Sequence, residues 1–231
     1  MRPLGAPPLE IDALWSKARP DAAGLIPCVV QDVRTRRVWT DGFERPGPDV
    51  KNSWIVEHSF GVEAGVADGK LYLHGKQQNG VAPDGRTRVR RAITGEQVAK
   101  VEARLNLDSL GDAFRGGLRL ESPSGPGVVL FKDQDGRVKV SVAARKGDFS
   151  DPVDLGDCPK GLVTFGIEVT DPKAGLVTVW VGGQPRGEPQ KVPGLTGDVD
   201  VSLYVQGSQL GAETKLTVDE VRVFAVRTGG R

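Results

Sequence analysis

Histidine, cysteine and aromatic side chains are scarce in this chain, and each shortage closes off some chemistry. His58 and His74 are the only histidines, so a multi-histidine metal centre is excluded. Cys28 and Cys158 are too few for a disulfide framework or a cysteine zinc cluster, and their positions do not settle whether they pair. Aromatics make up 6% of the residues, so an apolar core has to come from Val and Leu, which is strand composition. The net charge is only +1, which gives no field for a polyanion, and no nucleic acid is expected as a partner. No stretch approaches the ~18 apolar residues of a membrane span, so no membrane insertion is expected. The opening MRPLGAPPLEIDALW has no apolar run of signal-peptide length. The chain as given therefore reads as cytoplasmic, or extracellular if an export segment is missing.

Glycine and proline are plentiful, at 31 and 16 residues, and fall between apolar runs, where they mark turns. The runs themselves alternate. Val163, Phe165, Ile167 and Val169 alternate with Thr164, Gly166, Glu168 and Thr170, and Val177, Val179 and Val181 return after a short loop. Asp135–Gly136 signals a hairpin between Val128–Lys132 and Val138–Val142. The last strand, KLTVDEVRVFAV, changes phase. Leu216 and Val218 alternate first, then Val221, Val223 and Ala225, which predicts a β-bulge at Asp219–Glu220. About a dozen such strands and almost no helix predict an all-β, two-sheet antiparallel β-sandwich of the jelly-roll kind. The sandwich is expected over residues 39–231, after an N-terminal extension at 1–38. Arg86, Arg88, Arg90 and Arg91 form the one basic cluster, read as a solvated edge strand guarded by charge.

The cues Gly42–Phe43–Glu44, Val66–Ala67–Asp68–Gly69–Lys70–Leu71, the Phe165–Val169 and Val177–Gly183 hairpin, and Val218–Val223 together resemble concanavalin A-like lectin/glucanase domains, LamG-like ones included, over about residues 40–228. DALWSKARPDAAGLIPCVVQDVRTRRV resembles the opening segment of phosphoribosyl-AMP cyclohydrolases over residues 10–38, without that family's later metal ligands. No residue role is carried over from the second resemblance.

The first resemblance implies a non-catalytic carbohydrate-binding or adhesion module, with a glycan or a partner protein as its ligand. Sugars bind sheet faces through aromatic stacking and planar polar groups. Trp180 and Tyr204 sit on the polar phase of their strands, with Tyr72, His74, Arg119 and Gln206 as further candidates. The alternative reading of Trp180 is that a loop or a second layer covers it. A second function is a glucanase-type hydrolase, which needs two carboxylates ~5–5.5 Å apart for retention. The Glu-x-Asp-x-x-Glu run of related glucanases is absent, and Glu102, Glu121 and Glu168 stand on separate strands, so no catalytic residue is assigned. A third is a structural or interaction module without a small ligand. Glu44 and Asp219, one near each end of the sandwich, are candidate ligands for a structural calcium, or else Asp219 hydrogen-bonds nearby backbone in the bulge.

Overall fold

The computed structural model describes residues 35–44, 54–57, 61–78, 86–195 and 197–226. Among the described residues sixteen strands follow in chain order. The first eight are β1 (Thr35–Asp41), β2 (Ile55–Glu57), β3 (Val62–Ala67), β4 (Lys70–Lys76), β5 (Arg86–Ile93), β6 (Val98–Asn106), β7 (Phe114–Glu121) and β8 (Gly127–Lys132). Then come β9 (Arg137–Ala143), β10 (Val153–Asp157), β11 (Leu162–Asp171), β12 (Leu176–Val181), β13 (Gln184–Pro185), β14 (Gln190–Lys191), β15 (Val199–Gly207) and β16 (Glu213–Val226). They form two antiparallel sheets. One has the order β13-β12-β11-β6-β16-β4-β3, with β1 beside β16 and β14 beside β12; the other has the order β10-β9-β8-β7-β15-β5-β2. The all-β sandwich expected from the alternation is what the chain forms. Among the described residues no helix is long and apolar enough to cross a membrane.

The closing strand β16 organises the first sheet. Along one side it pairs with β6 from Thr217 to Ala225. Its other side is shared: Glu213–Val218 pair with β4, and Val221–Val226 pair with β1. The register against β6 slips between Val218 and Glu220, which makes Asp219 the extra residue. The bulge resets the pleat, so Leu216 and Val218 before it and Val221, Val223 and Ala225 after it are all fully buried. Without it one half of the strand would turn its apolar set to solvent.

Between the sheets lies one core of Val, Leu and Phe. Leu71 and Leu73 of β4, Val101, Ala103 and Leu105 of β6, and Phe165 and Ile167 of β11 meet Leu118 and Leu120 of β7 and Val201 and Leu203 of β15. Each such side chain contributes roughly 1.5–3 kcal/mol on burial, which offsets the entropy of ordering so many strands. The β3–β4 hairpin turns on Asp68 and Gly69, with φ of 51° and 65°, the two left-handed residues of a type I′ turn.

The start of the sandwich differs from the expectation at its boundary. β1 begins at Thr35, so residues 35–38 belong to the sheet. Asp41, at the end of β1, holds this corner. Its Oδ1 accepts the Phe43 amide and its Oδ2 accepts the Trp54 indole N–H, both at 2.9 Å. Phe43 takes a left-handed backbone, φ 54°, and its ring stacks on Trp54 with centroids 6.2 Å apart. Trp39 meets Trp54 edge-on at 5.4 Å, and Arg91 lies over Trp39 at 4.6 Å. Cys28 and residues 10–34 of the cyclohydrolase-like segment lie outside the described residues. Cys158 is half-buried.

Candidate binding cleft on the seven-stranded sheet

The outer face of the seven-stranded sheet gathers charged and polar side chains from β5, β7 and β15. Inward and outward residues alternate on every strand, so register decides what meets there. Tyr204 lies opposite Arg88 on one side and Gly117 on the other; Ser202 lies between Arg90 and Arg119; Gln206 lies between Arg86 and Arg115. Gly117 also faces Phe131, and Arg119 faces Val129. A Cβ on Gly117 would run into the Leu130 carbonyl, so this position stays empty and leaves a gap between Arg115 and Arg119. The loop after β9 folds Phe149 back onto the face through a bridge to Ala143. Phe149 packs with Val129, Phe131 and Tyr204 in a small apolar cluster separate from the main core.

The resulting cleft has two joined parts. One, of about 130 Å³, lies among Arg86, Arg88, Arg115, Arg119, Phe131, Phe149, Tyr204 and Gln206. The other, of about 540 Å³, extends past Arg90, Glu57, Glu121, Asp200 and Lys146. Most of the charges are paired. Arg88 Nε donates to Glu57 Oε2 at 2.9 Å, and Arg90 Nε donates to Glu57 Oε1 at 2.7 Å. Arg90 reaches Asp200 at 3.4 Å, and Arg119 NH2 donates to Glu121. The Arg119 guanidinium also lies over the Phe149 ring, 4.7 Å from its centroid. Burial pushes the Tyr204 hydroxyl well above its ordinary pKa.

Glu57 feels opposing influences. Partial burial raises its pKa, but hydrogen bonds from Arg90 and Arg88 and their charges outweigh that and hold it below its ordinary value of 4.5. A carboxylate whose folded pKa is depressed adds stability above its unfolded pKa, and that contribution is lost as pH falls through the folded value. The expected outcome is an acid limb of the stability–pH curve, below about pH 4.5, that is shallower in Glu57→Gln. Thermal melts from pH 3 to 7 check this; parallel limbs in the two proteins would remove the assignment.

The structure divides the sequence candidates between the two sheets. Tyr204, Gln206 and Arg119 come together in the cleft. Trp180, Tyr72 and His74 do not: they lie on the outer face of the other sheet, Trp180 on β12 and the other two on β4, with β11, β6 and β16 between those strands. The expectation that Trp180 shares a face with Tyr204 is corrected by this. Both were rightly placed on the non-core phase, but strand pairing sends β12 and β15 to different sheets. Trp180 is half-buried over Gly166, its register partner, with Lys100 Nζ 4.6 Å from its ring. It fills the space that a glycine leaves on a sheet face. Trp180→Ala is expected to lower stability by about 1–2 kcal/mol and to leave ligand binding in the cleft unchanged. Urea denaturation and binding titration on one preparation check both.

The arginine cluster is also corrected. β5 pairs with β15 and with β2, so it is not an edge. Arg86, Arg88 and Arg90 line the cleft, whereas Arg91 is on the opposite phase against Trp39. Asp219 lies 3.1 Å from Arg104 across the bulge, a side-chain ion pair where the alternative to calcium expected a bond to nearby backbone, and Glu44 is exposed. Among the described residues no group of three or more His, Cys, Asp or Glu side chains is placed to hold a metal. Glu57, Phe149, Arg86 and Arg115 are among the cleft residues that the sequence reading did not select. The arginine spacing 86, 88, 90 was the available signal, since period two puts all three on one face of a strand.

No family model matches the chain, and no curated protein does. Solved structures match its fold. SCLam, a non-specific endo-beta-1,3(4)-glucanase from family GH16, superposes with a TM-score of 0.64 at 15% identity, covering 84% of this chain and 92% of that one. The catalytic domain of an endo-1,3-beta-glucanase (laminarinase) from Thermotoga petrophila gives 0.62 at 17% identity, covering 84% and 99%. Rv0315, an immunostimulatory antigen and pseudo beta-1,3-glucanase of Mycobacterium tuberculosis, gives 0.62 at 14% identity, covering 83% and 99%. These likenesses carry the glucanase side of the resemblance drawn from sequence and do not confirm its lectin and LamG side or the cyclohydrolase resemblance. At such identities it is the fold that is shared: the chain is a sandwich with the concanavalin A-like jelly roll of the GH16 glucanases.

Proposed function

We propose that the outer face of the seven-stranded sheet is a glycan-binding cleft that does not cleave what it binds. The observation that carries this reading is the meeting of half-buried Phe149 and buried Tyr204 with a fork of arginines and Gln206 on one open sheet face. A pyranose offers an apolar face and a rim of hydroxyls. Aromatic rings suit the first, and guanidinium groups, with five fixed N–H donors each, suit the second. The low net charge of +1 speaks against nucleic acid.

Cleavage is the second reading, and the comparisons favour it over simple binding, because several neighbours of this fold are named as endo-glucanases. The carboxylates of this cleft argue the other way. Hydrolysis with retention needs one carboxyl kept protonated by a raised pKa and a second free to attack. Glu57 is held in the opposite direction by two arginines, and Glu121 is hydrogen-bonded to Arg119. Screening on a glycan array, followed by turnover assays on laminarin and on aryl β-glycosides, separates the readings. Binding without product supports the proposal. Product release that stops in Glu121→Gln would install the hydrolase, and no glycan binding at all would favour an interaction module.

A further inference from the structure

The charges in the cleft do not balance. Glu57 is taken up by Arg88 and Arg90, Asp200 by Arg90, and Glu121 by Arg119. Among the described residues Arg86 has no ion pair. Burial strips water from it, and the charges of Arg88 and Arg119 press on it, so its pKa is pushed down from its ordinary value. Arg119 is 7% exposed and paired through NH2, yet its buried Nε has no hydrogen-bond partner. Arg115 stands 3.9 Å from Asp133, beyond hydrogen-bond reach, with its guanidinium over Phe131. Three guanidinium groups thus converge on the smaller part of the cleft, Arg119 paired with Glu121, Arg115 only loosely with Asp133 and Arg86 with neither, and no carboxylate lines that part itself. A buried positive charge without a counter-charge is costly, and a bound anion relieves both the repulsion and the unsatisfied N–H.

Resting on the glycan-binding reading above, we propose that the cleft takes an acidic glycan, whose sulfate ester or carboxylate sits between Arg86, Arg115 and Arg119 while a sugar ring packs against Phe149. Sulfate and carboxylate share planar acceptor edges that a guanidinium meets with two N–H donors. Sheet geometry fixes the spacing of the donors, so the anion is held by built positions and not by a diffuse field. Arg86 is the residue whose only evident task is to meet that anion.

Titration calorimetry with three hexasaccharides tests this: neutral laminarihexaose, a sulfate ester of laminarihexaose and oligogalacturonate, with a single-stranded oligonucleotide as control. One of the two acidic sugars is expected to bind at least on the order of tenfold tighter than laminarihexaose, the winner telling sulfate from carboxylate. Its affinity should fall with added salt. Arg86→Gln and Arg115→Gln should each weaken acidic-sugar binding about tenfold and neutral-sugar binding less than twofold, while each variant melts within a few degrees of the native protein. Equal binding of all three sugars, unchanged in both variants, would overturn the acidic class and leave the cleft as a glycan site. Failure of every sugar to bind would overturn the glycan reading with it, and tighter binding of the oligonucleotide than of any sugar would replace both.

Discussion

Glu121→Ala is expected to lower stability by about 3–5 kcal/mol, which is the scale for removing one partner of a buried ion pair. Arg119 and Glu121 are 7% and 6% exposed, on the same face of one strand two residues apart. Arg88 stands 4.0 Å from the same carboxylate. Take the carboxylate away and the Arg119 guanidinium stays buried beside Arg86 and Arg88, with one more donor unmet. For a domain of this size the loss corresponds to a fall in melting temperature of roughly 10 °C. Glu121→Gln keeps an acceptor for Arg119 and should fall by less than half as much. The acidic-ligand proposal adds a second consequence: millimolar sulfate should stabilise Glu121→Ala more than the native protein, because an anion that binds only the folded state shifts the equilibrium by mass action. A Glu121→Ala melt within about 2 °C of native would show that water already solvates this pair.

Asp41→Ala is the other change with a large expected effect, about 2–4 kcal/mol in urea unfolding. Two hydrogen bonds disappear at once, and both donors stay buried. Trp54 is 2% exposed, so its indole N–H has no water to turn to, and each unsatisfied buried group costs about 1–3 kcal/mol. The Phe43 amide loses the acceptor that steadies a left-handed backbone in a residue that rarely adopts it. Asp41→Asn keeps one acceptor oxygen and should fall between native and alanine. If Asp41→Ala unfolds at the native urea midpoint, this corner is not what fastens β1 to the sandwich.

Much of the architecture can be read in the chain because strand alternation is a local property. The phase slip in β16 marked the bulge within one residue, since burying Leu216 and Val218 as well as Val221 and Val223 requires an extra residue between them. The β8–β9 and β11–β12 hairpins were legible for the same reason. Sheet membership was not. Trp180 and Tyr204 have the same local pattern, and only pairing between residues far apart in sequence sends one to each sheet. The arginines of β5 looked like an edge because nothing local reports that β2 and β15 flank them. Phe149 lies in a turn-rich loop with no period to read, and it reaches the cleft only through the fold-back onto Ala143. At the N-terminal corner Glu44 drew notice as a metal ligand, whereas Asp41, three residues earlier, makes the structural bonds.

The most direct test of the central claim is a crystal structure of the protein soaked with the tightest-binding hexasaccharide. The account predicts sugar density on the seven-stranded sheet, with a ring against Phe149 and polar contacts to Arg86, Arg115 or Gln206. Sugar bound instead over Trp180 or Tyr72 on the nine-stranded sheet, with the arginine cleft empty, would contradict it.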